Sequence, residues 1–226
     1  MKYLENENYL YLLGFLWADG YMGEYETKLD INRIDGEEVI KWLPEIKHSI
    51  YYMHRKPYKK SLILSLKDKE FNLFIREHDY CVGRNNPNKI LSKISSNNLR
   101  HWLRGYLDGD GCIYINPKNR CFQLTFVSAI NQDWGFVERF CESHQIKYSV
   151  RKATYTTKKN KIHRASYFRV IGIVNMKKFL DVIYKDTEIC LTRKYKKYIE
   201  IIEYIRDKSP PKICKILETQ RVALLN

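Results

Sequence analysis

Large apolar side chains gather in one dense stretch, Tyr9 to Ala18, broken only by Gly14. The run is too short to cross a bilayer, and it does not alternate, so it predicts a buried helix over about 8–19. The period then changes: around Leu29 and Ile31, apolar and polar residues take turns, and two strands are expected within 21–33. A second helix should start from an N-cap at Asp35, its apolar positions being Val39, Ile40, Leu43 and Ile46. Strands near 49–55 and 61–66 and a helix over 68–78 complete the series. The order then returns. A helix over about 98–110 leads into two strands within 112–128. A helix capped at Asn131 carries Phe136, Val137 and Phe140, strands follow at 147–156 and 163–172, and a helix closes at 174–185.

The return is also visible residue by residue. Leu12-Leu13-Gly14-Phe15-Leu16-Trp17-Ala18-Asp19-Gly20 is matched 91 positions later by Leu103-Arg104-Gly105-Tyr106-Leu107-Asp108-Gly109-Asp110-Gly111. The spacing grows to 95 or 96 where Leu29–Asp35 meets Leu124–Asn131, and to 105 where Phe74–Lys89 meets Phe179–Lys194. A preserved order with a growing offset is what a tandem duplication gives when the second copy has longer loops. The expected fold is α+β: two pseudo-symmetric α-β-β-α-β-β-α halves, with antiparallel sheets covered by helices on one face. The halves should span 1–96 and 97–208, joined through an Asn-, Ser- and Lys-rich linker from Arg84 to Asn98, with a basic helix near 191–206. Ser209-Pro210-Pro211 then breaks the chain before a short tail helix within 209–226.

Charge narrows the class. Forty Lys and Arg against 26 Asp and Glu leave a net +14, which suits a polyanionic partner. Eighteen tyrosines add stacking area and hydroxyls able to meet phosphates or bases. No apolar segment is long enough to span a membrane, and the N-terminus lacks the basic-then-apolar order of a signal peptide, so an intracellular location is expected. The six cysteines (Cys81, Cys112, Cys121, Cys141, Cys190, Cys214) form no C-x-x-C pair and suggest reduced, buried thiols rather than zinc ligands. The histidines show no metal-ligand spacing, and no phosphate-binding G-x-x-x-x-G-K-[ST] loop is present.

The repeated nonapeptide carries the chemistry. On a helix, Gly14 with Ala18 and Gly105 with Gly109 form i, i+4 stripes of small residues through which two backbones can approach closely. Gly20 and Gly111 fall where each helix should end and turn. Just before them, Asp19 and Asp110 place carboxylates at negative helix ends. Two such ends packed side by side repel one another unless cations lie between them. A divalent-metal site near a basic surface suggests phosphodiester hydrolysis. A single such segment is usually just a capped helix end; two copies in register within a basic protein favour the catalytic reading.

These two nonapeptides resemble the motif of the LAGLIDADG homing endonucleases, and the resemblance runs through nearly the whole duplicated chain. It implies a monomer whose motif helices form the central interface and whose sheets form a saddle along the DNA major groove. It implies metal held by Asp19 and Asp110, with the Gly20 and Gly111 carbonyls as further ligands, and cleavage of both strands to leave 3′ overhangs. Two or three Mg2+ ions are expected; Mn2+ should substitute, and Ca2+ should support binding without efficient cleavage. Two positions depart from the pattern. Trp17 stands where the second motif has Asp108, a position that is usually structural, and Leu13 and Arg104 replace an alanine expected at the helix surface. Lys89 and Lys194 are the expected catalytic lysine pair, with Arg193 as a rival for the latter. Arg33 and Ala129, just before the second helices, suggest unequal sites.

Residues in or beside the strands are the candidates for reading DNA: Lys28, Asn32, Arg33, His54, Arg55, Gln123, Thr125, Arg151, Lys152, Arg164 and Arg169. Their side chains include the bidentate partners of guanine and adenine, whereas Lys158, Lys159 and Lys161 in a turn suit phosphates. Two rival functions share this architecture. One is a maturase that binds intron RNA. The other is a non-cleaving DNA-binding regulator, which retention of both Asp19 and Asp110 weighs against.

Overall fold

The computed structural model describes residues 2–53, 60–80, 86–156 and 162–208. His54, Arg55, Lys158, Lys159, Lys161, Cys81, Cys214, part of the linker from Arg84 and the tail 209–226 lie outside the described residues. The first half runs α1 (Lys2–Glu5), α2 (Glu7–Asp19), β1 (Gly20–Met22), β2 (Thr27–Asn32), α3 (Arg33–Lys41), β3 (His48–Tyr52), β4 (Ser61–Leu66) and α4 (Lys69–Glu77). A short helix, α5 (Asn88–Leu91), sits inside the expected linker. The second half runs α6 (Leu99–Asp110), β5 (Cys112–Asn116), β6 (Cys121–Ala129), α7 (Gly135–Ser143), β7 (Tyr148–Thr156), β8 (Ile162–Ile171), α8 (Ile173–Ile183) and α9 (Thr192–Lys208).

Each half builds one antiparallel four-stranded sheet, in the orders β1-β2-β4-β3 and β5-β6-β8-β7. The orders are identical under the repeat. Strands β1 and β5 leave directly from the motif helices α2 and α6, so they lie at the centre of the molecule, and β3 and β7 form the outer edges. In β2, Leu29 and Ile31 point into the core while Lys28, Asp30 and Asn32 stay on the open face. In the second sheet, the pairs Leu124–Val170 and Phe126–Phe168 point inward. Helices cover only that inner face, which is why the other can stay polar.

The second helices begin elsewhere than Asp35 and Asn131. Asn32 is the true cap of α3, its side chain accepting from the Ile34 N–H at 3.0 Å. Asp35 is instead drawn into an ion pair with Arg193. In the second half, α7 starts four residues beyond Asn131, where Asp133 accepts from the Gly135 N–H at 2.8 Å.

The two motif helices hold the halves together. Every residue of α2 from Tyr9 to Ala18 is buried, as a helix apolar on all sides must be. Gly14 faces α6 so closely that a Cβ there would overlap the Trp102 carbonyl and stand 2.9 Å from the Tyr106 nitrogen. Gly105 faces α2 in the same manner, its would-be Cβ overlapping the Tyr11 carbonyl and standing 2.9 Å from the Phe15 nitrogen. Residues 11, 14 and 15 correspond to 102, 105 and 106 under the 91-residue offset, so the crossing obeys an approximate two-fold axis. Towards the helix ends, a Cβ at Gly109 would come within 2.6 Å of the Ala18 methyl. The stripe of small residues is therefore a backbone-to-backbone contact.

Gly20 and Gly111 do not serve as left-handed caps. Their φ values, −73° and −71°, are open to any residue. What excludes a side chain is crowding, from the Tyr80 hydroxyl at Gly20 and from Leu107 at Gly111. The thiols also differ from expectation: Cys141 and Cys190 are buried, but Cys112 and Cys121 are exposed.

Candidate active site between two motif helices

Asp19 and Asp110 are the exposed last residues of two otherwise buried helices. Neither helix carries a basic residue in its own last turn, where cations would favour the negative end of the dipole. The Asp19 carboxylate reaches across the crossing and lies 3.5 Å from the point a Cβ of Gly109 would take, one residue before Asp110. Asp19 thus lies beside the last turn of α6, the helix that Asp110 ends. Hard oxygen donors beside aligned helix ends suit a hard divalent cation. Among the described residues no group of three or more His, Cys, Asp or Glu could hold a metal. A cation here would take one or two carboxylates and complete its shell with water and phosphate oxygens, the way Mg2+ prefers to bind.

The basic partners are unequal. Lys194, at the start of α9, is buried, and its Nζ donates to the Leu107 carbonyl at 3.2 Å and to the Gly111 carbonyl. Burial and the neighbouring Arg193 charge lower its pKa, with Asp108 opposing. The Gly111 carbonyl, expected as a metal ligand, is thus already engaged by Lys194. Lys89 lies on α5, half exposed, and donates to Asp79 at 3.1 Å. In the first half the contact corresponding to that of Lys194 is made by Tyr80, which is buried and donates its hydroxyl to the Leu16 carbonyl at 2.8 Å. Nothing in the sequence singled out Tyr80. Arg193, the rival to Lys194, is committed to Asp35 at 2.8 Å, and the Thr192 N–H donates to Glu38, so the start of α9 is fastened to the first half.

Behind the carboxylates lies a buried polar cluster. Asp108, fully buried, accepts from the Tyr11 hydroxyl at 2.8 Å, the Leu191 N–H at 2.7 Å and the Tyr184 hydroxyl at 3.3 Å. It is structural: it holds the entry to α9 and hence Lys194. Arg104, expected at the helix surface, is instead fully buried. It donates to Glu7 at 2.5 Å and to the Ile183 carbonyl at 3.1 Å, and this pairing is what lets a guanidinium stay inside.

Two groups of this cluster titrate in opposite senses. Burial pushes Asp108 up to about 6, and burial together with the Arg104 charge pulls His101 down to about 4. As pH falls from about 6 to 4, folded Asp108 binds a proton before its unfolded counterpart does, so this group adds stability. Over the same interval unfolded His101 binds a proton that the folded ring refuses, so stability is lost. The two slopes should largely cancel in the wild type. Thermal melts from pH 7 to 4 are expected to fall more steeply for Asp108→Asn and less steeply for His101→Gln; parallel curves would remove the assignment.

The expected DNA-reading residues divide between the faces. Lys28, Asn32, Gln123, Arg151 and Arg169 share the open faces, and Thr125, on the same side of β6, is buried beneath its neighbours. Asn32 is also the α3 cap, and Lys28 pairs with Glu26. Arg33 is the first residue of α3 and pairs with Glu37 at 2.8 Å. Lys152 and Arg164 are exposed but alternate onto the helix-side face, in register with Ser166 and Thr154. Sequence reasoning missed the aromatic share of the open faces: Tyr21, Tyr51, Tyr114 and Tyr155 are all exposed there. They lie on other strands than Lys28 and Gln123, and only the strand register places them on the same face. Arg169 lies over the Tyr167 ring, 5.1 Å from its centre.

No protein-family model matches the sequence, and no curated protein is similar to it. Solved structures are similar in fold. I-CpaMI, a LAGLIDADG meganuclease bound to uncleaved DNA, superposes with a TM-score of 0.53 over 90% of this chain and 92% of its own, at 11% identity. I-WcaI, bound to its DNA recognition sequence, gives 0.51 over 86% and 87%, at 15% identity. I-SmaMI, bound to an uncleaved DNA target in the presence of calcium ions, gives 0.50 over 94% and 97%, at 10% identity. The chain has the fold of the LAGLIDADG homing endonucleases.

Proposed function

We propose that this chain is a site-specific DNA endonuclease that acts as a monomer, with the two halves of one molecule addressing the two strands of a long duplex target. One observation carries the reading. Two exposed aspartates end two buried, interlocked helices, Asp19 reaching the last turn of the partner helix, between two open sheet faces rich in basic, amide and aromatic side chains. Packing the helices requires their glycines; it does not require carboxylates at both ends. The net charge of +14 draws the protein to the phosphates. The open faces then offer Gln123, Arg151 and Arg169 to base edges.

A divalent cation, Mg2+ by the chemistry of the donors, would be held by Asp19 and Asp110 and would supply Lewis acidity and an ionised water. The chain's own residues do the rest. The glycine contacts fix the two carboxylates relative to each other, Lys194 brings positive charge to the end of α6, and Asp108 holds the segment that carries Lys194. In hydrolysis a water oxygen bonds to phosphorus, one ester P–O bond breaks, and the departing oxygen takes up a proton.

The test is incubation with a randomised duplex library and magnesium. Recovery of one preferred sequence cut on both strands, with 3′ overhangs, supports the endonuclease. Selective duplex binding without cuts leaves only the regulator, and binding confined to structured intron RNA leaves the maturase. On the recovered target, Arg169→Ala is expected to relax preference at one base pair, weakening binding to the preferred base by about 1–3 kcal/mol. Arg164→Ala, on the other face, should leave base preference unchanged. Competition binding against single-base variants measures both.

A further inference from the structure

The first turn of α9 is a helix start that its own sequence disfavours. Four of the six residues from Thr192 to Lys197 are cations, Arg193 and Lys194 among them, and the turn has no acidic residue. A helix N-terminus carries partial positive charge and unpaired N–H groups, so it attracts anions and repels cations. The acids that settle it come from other elements. Asp108 of α6 accepts from the Leu191 N–H at 2.7 Å. Two more belong to the first half and stand one turn apart on α3. Glu38 accepts from the Thr192 N–H at 2.7 Å, and Asp35 grips the Arg193 guanidinium with both oxygens, at 2.8 and 2.9 Å. From α2, Tyr11 holds Asp108 at 2.8 Å and Glu7 accepts from the Thr187 hydroxyl at 2.5 Å.

The same contact is made in the opposite direction. Asn88 stands directly before Lys89, as Arg193 stands before Lys194. It donates to Asp133, at the entry to α7, at 2.8 Å, and accepts from Arg139 of α7 at 3.3 Å. The second helix of each half, α3 or α7, therefore grips the residue preceding the other half's lysine. One grip is carboxylate on guanidinium and the other carboxylate on amide, but the place is the same. The two lysines end differently, Lys194 at the end of α6 and Lys89 at Asp79, so what the halves share is the latch.

We propose that Asp35, with Glu38 beside it, is a positioning residue for the site at Asp110: the first half anchors the turn that delivers the second half's lysine. This rests on the endonuclease reading above. Lys194 donates to the carbonyls of Leu107 and Gly111, on either side of Asp110. Its ammonium sits on a flexible four-carbon stem, so it is placed only as well as the turn it grows from. With the latch released, the cations of that turn repel one another and the positive helix end, and the turn loosens. The site is then a joint product of both halves, with Asp110 and Lys194 from the second and the hold on Lys194 from the first. A group misplaced by about 1 Å costs up to about 10²-fold in rate. Asp35→Asn keeps the side chain's size and loses the ion pair, so a loss of roughly tenfold or more is expected.

Single-turnover cleavage with magnesium at saturating protein separates rate from affinity, on a duplex recovered from a randomised library and labelled differently on each strand. Lys194→Met identifies the strand that this lysine serves. Asp35→Asn should slow that same strand, leave duplex affinity unchanged, and add no further loss in the Lys194→Met background, because it acts only through that residue. Asp35→Glu, which keeps the charge, should recover most of the rate. Lysine acylation of the DNA-free protein, read by mass spectrometry, needs no cleavage: Lys194, buried in the wild type, should label faster in Asp35→Asn, while Lys89 should not change. The proposal is overturned if Asp35→Asn slows both strands alike, weakens binding without loss of rate at saturation, or costs as much in the Lys194→Met background. It is also overturned by a Lys194→Met chain that cuts at full rate, or by unchanged labelling of Lys194. If the wild-type chain cuts no duplex, the endonuclease reading falls, and the labelling alone decides whether Asp35 holds Lys194.

Discussion

Gly14→Ala is expected to lower stability by about 3 kcal/mol, and Gly14→Leu to leave little folded protein. The reason is geometric. The added methyl would overlap the Trp102 carbonyl oxygen and press on the Tyr106 nitrogen, and both are helix backbone that cannot swing aside as a side chain would. Relief requires moving α6 as a body, which opens the packing of Trp17, Trp102 and Tyr106 at the same seam. Gly105→Ala should cost about as much, since it meets the mirror-related Tyr11 carbonyl and Phe15 nitrogen. For a chain of this length, 3 kcal/mol corresponds to a melting shift of about 6–12 °C. Gly23 provides the contrast. A Cβ there meets only the Glu26 carbonyl, at an ordinary 3.5 Å, so Gly23→Ala should be neutral or raise stability by up to about 1 kcal/mol. Calorimetry on the three variants decides. An unchanged midpoint for Gly14→Ala would mean that the two helices do not cross there.

The crossing is legible in the sequence because it is written twice. A glycine at the third position of two aligned nonapeptides has one economical explanation, and both sheets inherit their order from the same duplication. Element ends were harder. Asp35 and Asn131 have the chemistry of caps, but the capping groups are Asn32 and Asp133, and Asp35 answers to Arg193, 158 residues away in the chain. Arg104 misled for a related reason. A lone arginine on a helix looks solvent-facing until Glu7 and the Ile183 carbonyl, from distant segments, meet it inside the core.

The lysine pairing shows the limit most clearly. Counting 105 residues from Lys89 reaches Lys194, but chain offset measures loop length, not place. The group that occupies the corresponding place is Tyr80. It follows Asp79, whose φ of 62° turns the chain back after α4 and towards Leu16. A different side chain type at a different offset leaves no pattern to align. The aspartates escape this difficulty because each is covalently bound to its helix end, with no loop between landmark and function.

Asp19→Asn and Asp110→Asn should each abolish double-strand cleavage while leaving the fold intact. Both carboxylates are exposed at helix ends, so neither substitution opens a cavity, and each keeps the side chain's shape. Removing a negative charge from a negative helix end should if anything favour stability slightly, by a few tenths of a kcal/mol. Affinity for duplex DNA should hold or rise, because a carboxylate facing the phosphates repels them and an amide does not. Catalysis loses what it cannot replace. An amide is a poor ligand for a hard cation, and without that cation neither the phosphoryl oxygen nor the attacking water is activated. A loss of at least about 10²–10³-fold on the affected strand is expected, by analogy with the removal of one electrostatic element from a preorganised site. The approach of Asp19 to the end of α6 raises a sharper possibility for measurement: if the carboxylates share a cation, one substitution silences both strands. If they do not, Asp19→Asn yields an enzyme that only nicks. Calcium should support binding by every variant and rapid cutting by none. Strand-labelled cleavage alongside filter binding separates these outcomes, and a doubly substituted Asp19→Asn, Asp110→Asn protein that linearises its target at the wild-type rate would end the two-carboxylate mechanism.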